Sequence, residues 1–322
     1  MMRGRLYIDG NDAYLQYGVY VVEGGWNSLI EMPPLKPVPT NDWQEEDGIE
    51  ADLSNPVLNS REVSISFAFT GAYERYFSLI ELLSDGAYHE FNCAYIGRNF
   101  TLRLVSQSSL DYVTQLSKTV LKFADDFPLQ GYEYAAPVST VLEADDYDID
   151  GVHFTDYGVR ILQGTLTEVI KSSEVKKNLL RNIPTQTGAT YDDARVTYKS
   201  KEVKINCLMR AETLTELWRN YDALLFDLTR PDEHLLWVND IEQEFPCYYK
   251  SCSVSEFYPC DKIWLKFTLT LTATDGLRIT ESDMLLSTED GIIIITDTTE
   301  LPINMLPDIY NTDYALYNEQ EI

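Results

Sequence analysis

An internal repeat constrains this chain most, because self-similarity at a fixed spacing indicates one architecture built twice. Residues 17–24 (YGVYVVEG) reappear as residues 157–164 (YGVRILQG), a shift of 140 from position 17 to position 157. The same shift, or one within a few residues of it, relates further pairs: Ile8-Asp9-Gly10 with Ile149-Asp150-Gly151, Gly48 with Gly188, residues 60–63 with 200–203, Leu82-Leu83 with Leu224-Leu225, Phe100 with Phe245, and Lys122-Phe123 with Lys266-Phe267. The sequence therefore predicts a tandem duplication, residues 1–140 and 141–273, followed by an acidic extension, residues 274–322. Each copy is long enough to bury its own core.

Hydrophobic periodicity predicts the same elements in both copies. Alternating apolar and polar residues, or runs rich in Val, Ile and Tyr, predict strands: residues 18–22, 62–69, 100–106 and 116–124 in the first copy, and 158–162, 203–209, 245–251 and 263–273 in the second. Apolar residues three and four apart predict helices over 73–83 and 214–225. The alternation favours antiparallel pairing. We expect a mainly β (α+β) fold with two tandem antiparallel units, each a tube-like sandwich or barrel with one packed helix.

In each copy, one long segment separates the first strand predicted above from the second. The first arm, residues 25–59, contains five prolines, and the second arm, residues 171–199, is more basic. Long connections of this kind are usually functional or disordered. Recurrence of the segment in both copies favours an arm that contacts a neighbouring unit, and the alternative is a surface excursion. The candidate interface residues are Pro33, Pro37, Trp43, Asp47, Gly48, Lys176, Arg181 and Gly188.

Composition excludes several classes of function. The 25 Lys and Arg residues against 52 Asp and Glu residues give a net charge of −27, which argues against a nucleic-acid-binding surface. The longest aliphatic run, residues 292–295, is far shorter than a membrane-spanning helix needs. The start of the chain lacks the apolar segment of a secretory signal. The five cysteines suggest free thiols at buried strand positions in a reducing compartment, and their spacing suits no zinc site.

Sequence motifs give no support to catalysis. The phosphate-binding, dinucleotide-binding, zinc-protease and nucleophile-elbow patterns are missing from the sequence. A two-carboxylate hydrolase is an alternative, although a chain this acidic supplies carboxylate pairs by accident. Residues 145–151 (DDYDIDG) resemble a calcium loop but lack its final acidic residue, so a turn and linker is the better interpretation. We expect no enzyme activity, no cofactor and no metal.

The matched residues resemble a known family, the distal tail and tail-tube proteins of long-tailed bacteriophages. Residues 7–12 (YIDGND) followed by Tyr17-Gly18-Val19 resemble the opening strand and turn of distal tail proteins. The proline-bearing arm, Asp47-Gly48 and Arg61-Glu62-Val63 resemble the continuation of that pattern. The resemblance covers about 270 residues and departs from the family in having two units and no recognisable carbohydrate-binding domain.

The resemblance implies a virion tail protein, assembled in the bacterial cytoplasm, that forms a ring continuing the tail tube at the distal tail or baseplate. It implies self-association, as a trimer with pseudo-six-fold symmetry or as a hexamer, with neighbouring tail proteins as partners and no membrane. DNA would pass through an anionic lumen without specific binding, although the acidity is also explained by solubility. The alternative is a glycan-binding β-sandwich adhesion protein. The extension is either a strand that joins a neighbouring component or a frayed terminus.

Overall fold

The computed structural model describes residues 3–70, 73–113, 116–139, 147–177, 181–190 and 196–275. All of them belong to one compact unit that runs from Met1 to Arg278. Apart from Thr274 and Asp275, the acidic extension lies outside the described residues, as do Asp145 and Asp146 of the calcium-like segment.

The first half of the chain contains nine strands and three helices among its described residues. The strands are β1 (Tyr7–Ile8), β2 (Asn11–Asp12), β3 (Val19–Val21), β4 (Thr40–Asn41), β5 (Glu50–Ala51), β6 (Arg61–Phe69), β7 (His89–Cys93), β8 (Arg98–Asp111) and β9 (Ser117–Asp125). The helices are α1 (Ala13–Tyr17), α2 (Asn27–Ile30) and α3 (Tyr73–Leu83).

The second half contains a similar series of strands. Its strands are β10 (Tyr147–Ile149), β11 (Val152–His153), β12 (Val159–Ile161), β13 (Arg181–Asn182), β14 (Ala189–Thr190), β15 (Lys201–Ala211), β16 (His234–Val238), β17 (Gln243–Tyr258) and β18 (Ile263–Ala273). The α-helices are α4 (Thr165–Ile170) and α5 (Leu214–Leu228), and 3-10 helices form at Phe154–Tyr157 and Asn239–Ile241. No described helix has the length and apolar character needed to cross a membrane.

Each half forms a seven-stranded antiparallel sheet with the same strand order. The first sheet runs β2-β1-β7-β8-β9-β6-β3, and the second runs β11-β10-β16-β17-β18-β15-β12. One long strand in each sheet changes partner along its length. Residues 98–102 of β8 pair with β7 and residues 103–111 pair with β9, and β17 divides in the same way between β16 and β18. Bulges that follow this change in both β8 and β17 bend the strands, so each sheet curls into a half-barrel.

The pairing register agrees between the sheets at most positions. Val19 pairs with Phe69 as Val159 pairs with Met209, at the shift of 140. One predicted match is wrong: Lys122-Phe123 does not correspond to Lys266-Phe267. The structure pairs Val63 with Phe123 and Val203 with Leu271, so Leu271 takes the place of Phe123. A polar-apolar dipeptide recurs by chance in alternating strands, which makes it a poor guide to register.

The two long predicted helices are confirmed, and each lays an apolar stripe on its sheet. Tyr76, Leu79 and Leu83 of α3 are buried, and α5 buries nine of its residues. Thr213 caps α5, because its hydroxyl accepts a hydrogen bond from the Glu216 amide at 3.1 Å. The expectation of a single helix in each unit is wrong, since short helices also form before β3, after β3 and after β12.

The five cysteines are free thiols, as predicted. Cys93, Cys207, Cys247 and Cys252 are buried strand residues, and burial raises the pKa of the Cys93 thiol to about 12. The prediction of a buried strand position is wrong for Cys260, which is exposed in the turn between β17 and β18.

An aspartate in the first turn of each half ties that turn to the sheet. Asp9 and Asp150 both have positive φ angles, 47° and 53°. Asp150 Oδ2 lies 2.6 Å from His234 Nδ1, and its Oδ1 accepts a hydrogen bond from the Leu235 amide at 2.8 Å. Asp9 makes the same two contacts, with His89 and the Glu90 amide. The predicted turn at Ile149-Asp150-Gly151 is therefore a fixed connection between β10–β11 and β16.

We predict that Asp150→Ala lowers the free energy of unfolding by about 2–3 kcal/mol, because it removes two hydrogen bonds to a charged group and leaves a non-glycine residue at positive φ. Asp150→Asn should lose less than half as much, since asparagine tolerates this conformation and still accepts from the Leu235 amide. Glu233→Ala, at an exposed neighbouring position, is the control. Urea denaturation measures all three, and equal effects of the two Asp150 variants would contradict this account.

Candidate assembly interface

The two halves meet where α2 and the first residues of the first arm lie on β17 and α5. The Tyr221 hydroxyl donates to the carbonyl oxygen of Ile30 at 2.8 Å, and the Tyr249 hydroxyl donates to that of Pro33 at 3.0 Å. Pro33 and Pro34 cannot continue a helix, so the chain leaves α2 extended, with carbonyl groups available to the tyrosines.

The first half also occupies an open strand edge of the second half. Residues 248–258 of β17 pair with β18 on one side only. On the other side, the Leu35 amide donates to the Lys250 carbonyl at 3.1 Å and the Asn27 side chain donates to the Ser255 carbonyl at 2.9 Å. The Val254 amide donates to Glu31 Oε1 at 3.3 Å. Unpaired edges recruit other chains, and here the first half covers the edge.

The tyrosine and cysteine side chains buried in this contact are neutral near neutral pH. Burial raises the pKa values of Tyr221 and Tyr249 well above the ordinary phenol value, and it raises the pKa of Cys252 to about 12. Burial also raises the pKa of Glu31, opposed by the Val254 amide and Arg61. The tyrosines therefore act as hydrogen-bond donors, and the Cys252 thiol is not an activated nucleophile.

A second contact joins the β7–β8 turn to helix α5. The Arg98 guanidinium donates to Asp222 Oδ1 at 2.8 Å and lies 4.7 Å from the ring centroid of Trp218. The Trp218 indole N–H donates to the Ile96 carbonyl at 2.7 Å. Tryptophan and arginine in such desolvated positions commonly dominate the energy of an interface.

The tip of the first arm, the β4–β5 hairpin, lies against the start of the second arm. Lys176 is only 2% exposed. Its Nζ donates to the carbonyl oxygens of Trp43 at 2.6 Å and Gly48 at 2.8 Å and pairs with Asp42 Oδ1 at 2.6 Å. A buried charge is tolerated when it is paired and hydrogen-bonded, so these three oxygens fix the arm on the second half.

Gly48 is in close contact with the end of β18. Its amide donates to the Tyr198 carbonyl and the Ile49 amide donates to the Thr274 carbonyl, both at 2.7 Å. A Cβ atom on Gly48 would lie 1.6 Å from the Thr274 carbonyl oxygen, and φ at Gly48 is +67°. At Gly188, the matching position of the second arm, φ is +84° and no atom of a described residue lies within 4 Å of such a Cβ.

The structure brings together five of the eight candidate residues. Pro33, Trp43, Asp47, Gly48 and Lys176 all take part in the contact between the halves; Asp47 Oδ1 accepts from the Tyr198 amide at 2.8 Å. Pro37, Arg181 and Gly188 are exposed.

Sequence reasoning missed the residues that receive the arm, above all Trp218, Tyr221, Tyr249 and the Arg98–Asp222 pair. A comparison of the two copies position by position would have found part of them. In β17, Tyr249 and Cys252 stand where β8 has Leu104 and Gln107. Larger or more apolar residues in one copy alone indicate a face that only that copy covers.

The described interface residues can bind and position, and they carry no metal-binding constellation. In the described ranges, no group of three or more His, Cys, Asp and Glu residues is placed to hold a metal ion.

Comparisons with known proteins leave the family open. No protein-family model matches the chain, and no curated protein matches its sequence. Among solved structures, the chain is similar to the SPP1 Dit protein, whose crystal structure is described as a paradigm of the hub adsorption apparatus in phages that infect Gram-positive bacteria. The match covers 84% of this chain and 98% of that one, with 11% sequence identity and a TM-score of 0.28. A TM-score of this size establishes neither a shared fold nor a shared function.

The Gly48→Ala substitution should release the tip of the first arm, and Gly188→Ala is its matched control. Both introduce a side chain at positive φ, which costs about 1–2 kcal/mol, but only Gly48→Ala adds a clash with Thr274. We therefore expect the Gly48 variant to lose at least about 2 kcal/mol more in free energy of unfolding. Hydrogen exchange at the Ile49 amide should accelerate in that variant alone. Equal losses in the two variants would show that the Gly48 contact does not hold the arm.

Proposed function

We propose that this chain is a structural subunit of a bacteriophage or prophage tail, that its two halves are copies of one unit, and that it forms a ring at the distal tail or baseplate which continues the tail tube. One observation carries the proposal: an arm of one half completes an open strand edge of the other. A unit with this property is suited to assembly in series, because each unit offers an arm and an edge.

The equal strand order and register of the two sheets support the idea of copied units. With two units in each chain, three chains supply six units, so the preferred assembly is a trimer with pseudo-six-fold symmetry. A hexamer is the second choice. Closed rings remove open edges that would otherwise aggregate.

The assignment to a phage tail rests on the sequence resemblance: the YIDGND turn, the proline-bearing arm and the Asp47-Gly48 turn occur in the order seen in distal tail proteins. The partners would be other copies and neighbouring tail proteins, in a virion tail assembled in the host cytoplasm. The proposal gives the chain no catalytic role and no cofactor.

The net charge of −27 suits a channel through which DNA passes, because like charges repel and contact would release no counterions. Screening at physiological salt limits this repulsion to about 8 Å. The effect therefore requires acidic residues on the wall of the channel itself.

Light scattering after size-exclusion chromatography tests the assembly. We expect a particle of three times the mass of one chain, and negative-stain images with six similar lobes around a central hole. A particle of six chains would support the second choice. A stable monomer at high protein concentration would overturn the proposed function.

Glycan binding is the second candidate, favoured by an aromatic groove of about 650 Å³ between the halves. Its lining includes Trp26, Tyr95, Tyr258 and Trp264, and the Tyr258 and Trp264 rings stack with centroids 6.2 Å apart. Stacked aromatic faces beside charged side chains are suited to sugar rings.

A glycan array with the wild-type chain and Trp264→Ala tests this candidate. Glycan binding should fall at least about tenfold in the variant, because stacking contacts dominate such sites. Phe226→Ala, which changes a partly exposed aromatic residue outside the groove, is the control. If the wild-type chain binds no glycan, or both variants bind equally well, the groove is not a sugar site.

A further inference from the structure

We propose that the open edge of β8 in the first half binds helix α4 and residues 171–177 of a second copy of this chain. The inference rests on the proposed function, since it specifies the surface by which chains join. It assigns to the junction between chains the same arrangement that joins the two halves within a chain.

The edge in question matches the covered edge of β17. Residues 103–111 of β8 pair with β9 on one side, and no described strand pairs with the other side. Tyr249, Cys252 and Val254 of β17 are buried beneath the first half. Of their counterparts in β8, Gln107 and Leu110 are exposed and Leu104 is half-buried. The first half therefore carries an unoccupied version of the surface that receives α2 and the first arm.

The segment that would bind this edge is indicated by apolar side chains that are buried or half-buried in the first half and exposed at the matched positions of the second half. Ile30 of α2 is 2% exposed, whereas Ile170 of α4 is 45% exposed. Leu35 is half-buried beside the β17 edge, whereas Val175 is 43% exposed. Among the described residues, Ile170 and Val175 thus lack the neighbours that cover Ile30 and Leu35.

The start of the second arm already has the conformation of the start of the first. Leu35 bridges to Leu58 as Val175 bridges to Tyr198. The Lys36 amide donates to the Val57 carbonyl at 2.9 Å, and the Lys176 amide donates to the Thr197 carbonyl at 2.7 Å. The segment needs little rearrangement to dock, which lowers the entropic cost of association.

Charge is complementary at the junction within the chain. The first arm has one Lys against seven acidic residues, a net of −6, and the second arm has six Lys and Arg against three acidic residues, a net of +3. Within a chain, the acidic first arm lies on the start of the basic second arm, at Lys176. The start of the first arm, residues 25–37, carries one Glu and one Lys, a net of zero, so the contact between chains depends on apolar and backbone groups and not on charge.

The resulting contact is head-to-tail: the second half of one chain binds the first half of the next. Interfaces of this kind form a ring when the rotation between subunits closes, and a filament when it does not.

Chemical cross-linking tests the contact directly. Cysteines replace Val105, the counterpart of Lys250, and Val175, the counterpart of Leu35, in a Cys260→Ser background that leaves only buried native thiols. With a short bis-maleimide, the double variant should give a ladder of covalently joined chains, and each single variant should give none. Leu35→Cys with Lys250→Cys is the reference, because it should join the halves within one chain without raising the mass.

Three outcomes decide the inference. A ladder from the double variant alone supports it. Absence of a ladder from a protein that light scattering shows to be a ring overturns the inference and leaves the proposed function in place. Absence of a ladder from a protein that is a monomer overturns both.

A second variant tests the same contact without cross-linking. Ile170→Asp should weaken self-association at least about tenfold, because a charge replaces an apolar anchor at the centre of the contact. The circular dichroism spectrum and the melting temperature should stay unchanged, since Ile170 is exposed in the chain alone. Leu235→Asp, an exposed leucine on β16, is the matched control and should assemble normally. Normal assembly of the Ile170 variant would overturn the inference.

Discussion

The backbone hydrogen-bonding groups along β17 are the constraint on which this structure depends. A strand that changes partner along its length leaves part of each edge without a neighbouring strand. Unpaired N–H and C=O groups on such an edge cost free energy when they are buried, and they pair with other chains when they are exposed. In the second half, the first half supplies the missing donors and acceptors through Leu35, Asn27 and Glu31. The path of the first arm, the burial of Tyr221 and Tyr249, and the union of the halves in one compact unit all follow from this contact.

The elements with strong periodicity could be predicted from the sequence. The stripe from Tyr73 to Leu83 and the alternation in β6 and β15 fix one face of each element, and the structure has these elements nearly where the pattern places them. Strands of only two residues, such as β1 and β2, have no period to detect. The register of β18 was misjudged, because alternation alone is satisfied by any shift of an even number of residues.

Of the candidate site, only the arm residues could be predicted from the sequence, and the residues that the arm contacts could not. Prolines and the Asp47-Gly48 turn indicate an extended segment that ends in a tight turn. These signals depend only on residues that are adjacent in the sequence. What the arm touches depends on the packing of α5 against β17, which brings Tyr221 and Tyr249 together from positions far apart in the sequence. A tyrosine buried against a neighbouring unit has the same sequence signature as one buried in its own core, so no pattern within one copy separates the two.

Lys176 couples the two arms energetically. The lysine belongs to the second arm, while the carbonyl groups of Trp43 and Gly48 and the Asp42 carboxylate belong to the first. Displacement of one arm therefore changes the energy of the other, and linkage requires the influence to be equal in both directions. If a ligand that fixes the second arm stabilises the docked first arm by some free energy, docking of the first arm strengthens binding of that ligand by an equal amount. The buried Lys176 ammonium group thus couples the two arms.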